Sequence, residues 1–455
     1  MRFLPYSDQD RADMLAQIGV ERVRDLFADI PQQLQIEPGS LNLPASLSET
    51  DIRRKFQQAA AANNCTLTHR YFLGGGTYHH YIPAAIDYIL SRGELLTAYT
   101  PYQPEISQGT LQALFEFQTV VARLTGMEIA NASMYDAATA VAEAALMAKR
   151  VTRRSRIVMA QSINPHYHQV CSNYLSRLNG ETVSIPCSDY STDIPALIAA
   201  LNDKTAAVIV QNPDFYGALH DLQPLREACD RHNTLLIIAF SDASCFALLD
   251  PPGAMGADIA VGSGQSLGIP MAYGGPHIGL FACKKRYLRQ MPGRICGLTA
   301  DSRGKRGFVL TLSTREQHIR RARATSNICS NQGLMCLAVT LYCTLLGDSG
   351  MQQVASRSAN ALQQLISQLP EGVTAASGVH FHETVLRFPN NQTRDSLLTT
   401  AEKRGIFAGI PLERLQPGAD PATLLVTTTE MVESADISSL IQLIQQAVNT
   451  PEPPL

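Results

Sequence analysis

ADIAVGSGQSLGIP, residues 257–270, passes from a run of small and apolar side chains directly into a polar, glycine-containing loop. A strand without polar alternation has both faces buried, as in a parallel strand covered by helices above and below. The same texture recurs in RIVMA (156–160), AAVIVQ (206–211), TLLIIAF (234–240) and IGLFAC (278–283), several of them separated by helical stretches. Strands interleaved with helices predict an α/β large domain with a mostly parallel sheet. Such sheets present their chemistry at the carboxyl ends of their strands, so the loop after Gly262 is the first place to look for function.

Working outward, the chain reads as four segments. Residues 1–109 are expected to form a helical N-terminal arm and a loop-rich interface segment. Ser7 and the acids after it cap a helix that Gly19 stops, while FLGGGTYHHYIP (72–83) and YTPYQPEISQG (99–109) are dense in Gly, Pro and Tyr. Residues 110–347 are the large α/β domain, with helices at Leu111–Leu124 and Ala137–Arg150 and a strand at Glu128–Asn131. Residues 348–448 are a smaller C-terminal α/β domain built on the strands VHFHETVLRF (379–388) and TLLVTTTE (423–430). The closing NTPEPPL (449–455) has no packing residues and is expected to be a disordered tail.

Composition narrows the function class. Lys plus Arg is 37 against 40 Asp plus Glu, a net charge of -3, so no global field recruits nucleic acid or an acidic membrane. The N-terminal MRFLPYSDQDRADML lacks the apolar core of a signal peptide, which predicts a cytoplasmic protein. The uncharged run Leu334 to Leu346 falls short of the roughly 20 residues that cross a bilayer. Ten cysteines without a CxxC predict reduced, packed thiols, and Cys329, Cys336 and Cys343 are expected on one helix face. His380 and His382 share a strand face, but two ligands without a third predict no metal site.

Three strand ends are candidates for chemistry. Asp242 follows TLLIIAF, where an acid pairs with a protonated ring nitrogen or caps a turn. Ser133 lies in the Ala132–Asp136 loop ahead of a helix whose amides suit a phosphate, although the loop lacks glycine. Gln265 follows ADIAVG, and an amide cannot form the Schiff base that a lysine there would form. The chain has seven lysines (Lys55, Lys149, Lys204, Lys284, Lys285, Lys305 and Lys403), most of them beside other charges and none in a desolvated strand-end setting.

Longer motifs carry a family resemblance: YTPYQPEISQGTLQALFEFQT, ANASMYDAATAVAEA, GADIAVGSGQSLGIPMAYGGPHIG and MPGRICGLTADSRGKRGFVLTLSTREQHIRRARATSNICSNQ. With them nearly the whole chain, from YSDQDRADMLAQIGV through LLVTTTE, resembles subunit 1 (the α subunit) of two-chain glycine decarboxylases, the P-protein of the glycine cleavage system. The resemblance implies the type I pyridoxal-phosphate-dependent transferase fold, similar to aspartate aminotransferase, in an α2β2 heterotetramer. It further implies that pyridoxal phosphate sits on subunit 2, and that glycine is decarboxylated and its aminomethyl group passed to the lipoyl arm of the H-protein. Gly264-Gln265-Ser266-Leu267 aligns with a His-Lys-Thr-Phe stretch of subunit 2, placing Gln265 at the lysine position. The chain departs from related subunits at Ala137, where glycine is common, which weakens phosphate binding further.

Enzymes of this fold build each active site at a dimer interface. By that analogy the candidates for a composite site are Tyr78 and His79 in the 74–83 loop, Tyr99, Thr100, Tyr102, Gln103 and Glu105 in the next, and Ser326 and Asn327. Ser133, Asp242 and Gln265 would line a vestigial cofactor pocket. Arg294, Arg303, Arg306, Arg315 and Arg320 form a basic stretch expected mainly at the solvent surface or in local ion pairs. Two alternatives stay open: a purely structural partner subunit, and a self-sufficient pyridoxal-phosphate enzyme using another lysine.

Overall fold

A computed structural model describes residues 6–36 and 39–449, so the expected tail at 450–455 lies outside the described residues. Contacts divide the chain into two units, Met1–Asn64 and Cys65–Leu455. The first unit contains helices Asp8–Ile18 and Glu49–Ala61 and a 3-10 turn at Val23–Phe27. Ser7 caps the first helix in a capping box with Asp10, and Gly19 ends it in the left-handed conformation, as its sequence requires. The division falls after Asn64, and the first pairing of the second unit joins Arg70–Tyr71 in parallel with Ile406–Phe407.

The large sheet has seven strands: β1 (Ile129–Ala130), β2 (Arg156–Ala160), β3 (Thr182–Ile185), β4 (Thr205–Gln211), β5 (Leu235–Phe240), β6 (Ile259–Ser263) and β7 (Gly279–Cys283). Their order is β1-β7-β6-β5-β4-β2-β3. Pairs β2–β3, β2–β4, β4–β5 and β5–β6 are parallel, while β7 runs antiparallel to both neighbours. Every residue of β4, β5 and β6 is buried, as the unbroken apolar runs require. The alanine-rich helix Ala137–Thr152 presses close to the sheet because nine of its residues, six of them alanine, are buried.

A second sheet of four antiparallel strands, Thr374–Ala375, Glu383–Arg387, Thr423–Thr427 and Ile410–Pro411 in spatial order, carries helices Asn391–Lys403 and Ser434–Asn449. The long helix runs on through Gly333–Ser367, and Gly347 (φ 59°) breaks its geometry where the sequence suggests an end. Length and composition alone would let this helix cross a membrane, yet Cys336, Val339 and Tyr342 pack into the protein core.

Two local expectations are corrected, and one hairpin was not anticipated. Cys329 lies before the helix and is exposed, so it does not share the helix face of Cys336 and Cys343. The basic stretch contains an antiparallel hairpin, Cys296–Ala300 with Arg306–Leu310, whose glycines and exposed polar residues hide the strand pattern. Within that stretch Arg303, Arg306 and Arg320 are exposed, but Arg294 and Arg315 are buried. Arg315 donates to the carbonyls of Met291 and, at 2.6 Å, Gly293, and so stabilises the turn that precedes the hairpin.

Candidate functional site

The loop after β6 holds Gln265, which is 2% exposed and fully hydrogen-bonded. Its Oε1 accepts from the Tyr78 amide at 2.9 Å, while Nε2 donates to the Tyr78 carbonyl at 3.0 Å and the Ile269 carbonyl at 2.8 Å. Both amide hydrogens are used and the oxygen is occupied. A lysine in this position has no acceptor to offer the Tyr78 N–H. The side chain where the fold expects an amine therefore acts as a backbone bracket.

Asp242, also buried, lies two residues beyond the end of β5. Its Oδ1 accepts from the Ser244 amide at 2.8 Å, capping a short 3-10 turn. Its Oδ2 faces two imidazoles, His80 Nε2 at 3.1 Å and His382 Nε2 at 2.7 Å. The other nitrogen of His80, Nδ1, lies 2.7 Å from Glu430 Oε2, and Glu430 Oε1 accepts from the Tyr81 amide at 2.7 Å. Both ring nitrogens of His80 thus face carboxylate oxygens. Only the doubly protonated imidazolium donates in both directions. Burial opposes that charge, but the field and hydrogen bonds of Asp242 and Glu430 outweigh it and lift the pKa of His80 to about 10. Burial likewise opposes ionisation of Asp242, yet the two histidines hold its carboxyl well below the usual range.

Glu383 closes the other side of the cleft. Its Oε1 accepts from the Gly75 amide and from Thr427 Oγ1, each at 2.7 Å, and its Oε2 accepts from the Tyr78 hydroxyl at 2.9 Å. Burial raises the pKa of Glu383 and, with Glu383 beside it, that of Tyr78. The void left among Tyr78, Gln211, Asp242, His382 and Glu383 measures about 10 Å³. That is room for one water, against the ~150 Å³ that admits a benzene ring.

The expected phosphate end is closed as well. Asp136 caps helix Ala137–Thr152, its Oδ1 accepting from the Thr139 amide at 2.8 Å, so a carboxylate already occupies the anion position. Ser133, held at φ 86°, accepts from the Gln332 amide at 3.0 Å through its hydroxyl. Pyridoxal phosphate, the group this fold implies, does not fit. Position 265 carries an amide rather than an amine, the void beside Asp242 is only about 10 Å³, and the helix terminus is capped by the protein itself.

A second cluster lies around Arg294, which is 7% exposed. Its guanidinium donates to the Cys329 carbonyl at 2.7 Å, the Tyr102 hydroxyl at 3.2 Å, Asn331 Oδ1 at 3.2 Å and Thr100 Oγ1 at 3.3 Å. One planar cation thereby joins the 99–105 loop to the 327–331 loop. Two hollows flank it, of about 160 Å³ beside Tyr102 and Glu316 and about 240 Å³ beside Tyr99 and Asn331.

The sequence candidates therefore separate into two groups. Tyr78, Asp242 and Gln265 converge in the closed cleft, and Ser133 lies in the sealed loop ahead of the capped helix. Thr100 and Tyr102 join the Arg294 cluster, Tyr99 stands 84% exposed beside it, and Gln103, Glu105 and Asn327 are exposed. His79 is half-buried, with its carbonyl accepting from Thr429 Oγ1 at 2.6 Å. Ser326 Oγ accepts from the Ile328 amide at 3.1 Å. His382 meets Asp242 without His380, and it is His80, Asp242 and His382 whose ligand atoms lie within 4.8 Å of one another.

Sequence reading missed His80, Glu383, Glu430 and Arg294 as organising residues. A signal for His80 existed in TYHHYIP. With alternate side chains pointing opposite ways, Tyr78 and His80 share one side, and both are buried while Tyr81 is exposed.

The glycine cleavage system P-protein family model matches residues 1–444. A probable glycine dehydrogenase (decarboxylating) subunit 1 of Rhodospirillum centenum is 47% identical over 98% of this chain and 100% of its own length. The corresponding protein of Methylocella silvestris is 46% identical over 95% of this chain and 97% of its own. Among solved structures, glycine decarboxylase (P-protein) of the glycine cleavage system in inhibitor-bound form matches with a TM-score of 0.88 at 39% identity, covering 98% of this chain and 100% of that one. A sphingosine-1-phosphate lyase of Burkholderia pseudomallei matches with a TM-score of 0.65 at 12% identity, over 93% and 94% of the two chains, a likeness of fold alone. The α/β architecture expected from the strand pattern is accordingly the type I pyridoxal-phosphate fold.

Proposed function

Since this chain belongs to the glycine cleavage system P-protein family, we propose that it is the half of a two-chain glycine decarboxylase that carries no cofactor. Its partner, subunit 2, holds the pyridoxal phosphate on a lysine. The assembled α2β2 enzyme, in the cytoplasm, releases CO2 from glycine and delivers the aminomethyl group to the lipoyl arm of the H-protein. The observation that carries this reading is Gln265, an amide whose three hydrogen bonds leave no amine and no vacancy at the strand end.

The chain's own contribution to the composite site is the surface organised by Arg294. Tyr99 and Tyr102 present aromatic faces there, and Thr100, Gln103 and Glu105 supply polar groups on a loop that Arg294 holds in place. A self-sufficient enzyme is disfavoured by where the lysines lie. Lys284 is paired with Asp258 at 2.8 Å, Lys149 donates to the Asn179 carbonyl at 2.9 Å, and the other five are exposed.

The test is absorbance and glycine–bicarbonate exchange for the chain alone, for subunit 2 alone, and for the two co-expressed. The expected result is no visible band and no exchange from this chain, with both present in the complex. A band from this chain that borohydride abolishes would refute the reading. Full exchange by the complex after Tyr102→Ala and Glu105→Gln, with assembly intact, would reduce the role to architecture.

A further inference from the structure

We propose that His80 is a built-in replacement for the protonated ring nitrogen of a cofactor: its imidazolium occupies the strand-end cradle of Asp242 and locks the 78–81 segment into the cleft as a plug. The inference rests on the reading that the cofactor belongs to the partner, and it adds how this chain came to exclude one and what class of molecule the cradle recognises, a planar nitrogen heterocycle that carries a positive charge.

The plug is held at four successive residues. Gln265 holds the backbone of Tyr78 on both sides, and Thr429 holds the His79 carbonyl. Asp242 and Glu430 hold the His80 ring, and Glu430 also holds the Tyr81 amide. Three donors already converge on Asp242, since Oδ1 serves Ser244 and Oδ2 serves two imidazoles. An aspartate buried this deeply without a cation would be strongly unfavourable, so a chain that loses its cofactor needs a replacement charge. His80 supplies it.

The titratable groups that face His80 are Asp242 just beyond β5, Glu430 after strand Thr423–Thr427, and His382 immediately before strand Glu383–Arg387; Tyr78, which donates to Glu383, and His79 lie on its own segment. The ligand atoms of His80, Asp242 and His382 lie within 4.8 Å of one another, with Nε2–Oδ2 separations of 3.1 and 2.7 Å that suit direct hydrogen bonds, and the zinc and chelator arm of the test below separates a proton from an ion here.

Two measurements on the purified, partner-free chain test this. Nitrogen-15 NMR of histidine-labelled protein is expected to show one imidazole doubly protonated from about pH 6 to about pH 8, a signal missing in His80→Gln. A singly protonated His80 at neutral pH, or a ring nitrogen shifted by zinc that chelator reverses, would overturn the proposal. In His80→Gly, millimolar imidazole is expected to raise the melting temperature by several degrees, and benzene at equal concentration to do so far less. The imidazole effect should vanish when Asp242→Asn is added. Equal rescue with and without Asp242 would overturn the proposal, and if the glycine variant does not fold, the spectrum of the unaltered chain decides alone. A neutral His80 in a chain that still takes no cofactor would sink only this inference, whereas a borohydride-sensitive band from a chain with charged His80 would sink only the functional reading.

Discussion

Gln265 brackets Tyr78 across 187 residues of sequence, holding its N–H at 2.9 Å and its carbonyl at 3.0 Å. The residue at the expected lysine position is thus the one that holds the loop across the cleft. Gln265→Lys makes this measurable. The new side chain loses the acceptor for Tyr78 N–H and buries a charge, so we expect a loss of about 2–4 kcal/mol in urea unfolding. We also expect no cofactor band, because the void beside Asp242 is only about 10 Å³. Appearance of a borohydride-sensitive band in this variant would contradict the closed cleft.

His80 gives stability a defined pH dependence. Its folded pKa, about 10, lies above the ordinary 6.5, so the folded chain holds a proton that the unfolded chain releases. The contribution is complete below about pH 6.5 and lost as the pH rises toward about 10. Asp242 has the opposite sign. Its depressed pKa contributes above the ordinary 3.8, and that part is lost as the pH falls through the folded value. Subtracting the curve of His80→Gln from that of the unaltered chain is expected to leave a difference that declines from neutral to alkaline pH. A flat difference would show that His80 is not charged.

Asp242→Asn leaves the His80 imidazolium facing Glu430 alone and withdraws the main acceptor of His382. Removing one partner of a buried charge pair costs about 3–5 kcal/mol, and chemical denaturation at neutral pH is expected to show a loss of that size. A loss under about 1 kcal/mol would mean that the cluster is not charged as described.

Arg294 is expected to matter more for assembly than its single position suggests. Arg294→Ala withdraws one donor from each of Thr100, Tyr102, Asn331 and the Cys329 carbonyl. Turnover of the reconstituted complex should fall by about tenfold to a hundredfold, and Arg294→Lys should not restore it, because an ammonium cannot span the same four acceptors. Unchanged turnover at saturating subunit 2 would remove this cluster from the composite site.

Tyr99 gives the complementary case. Its side chain is 84% exposed, so Tyr99→Ala should change the stability of the isolated chain by less than about 0.5 kcal/mol. In titrations with subunit 2 the same variant should weaken association by about tenfold, as truncating a buried interface aromatic does. Equal affinity would leave Tyr99 outside the interface.

The large sheet was legible because burial on both faces leaves a mark on every residue of β4, β5 and β6. Strand β3 and the 296–310 hairpin were not, because TVSI is partly exposed and the hairpin mixes glycines with exposed polar residues. Arg294 and Arg315 could not be told from Arg303 and Arg306 by pattern, since burial of an arginine depends on distant carbonyls and hydroxyls that receive it.

The linear chain by itself established the class of sheet, the missing amine at position 265 and the strand-end acid at 242, since each follows from residue type and local pattern. What became of that acid was settled only by folding. His80, Asp242, His382 and Glu430 are separated by 140 to 350 residues in the contacts they make, and no local periodicity links them. Hydrogen bonds and buried charges are matched in space rather than along the chain, so the closing of this cleft is a property of the tertiary structure.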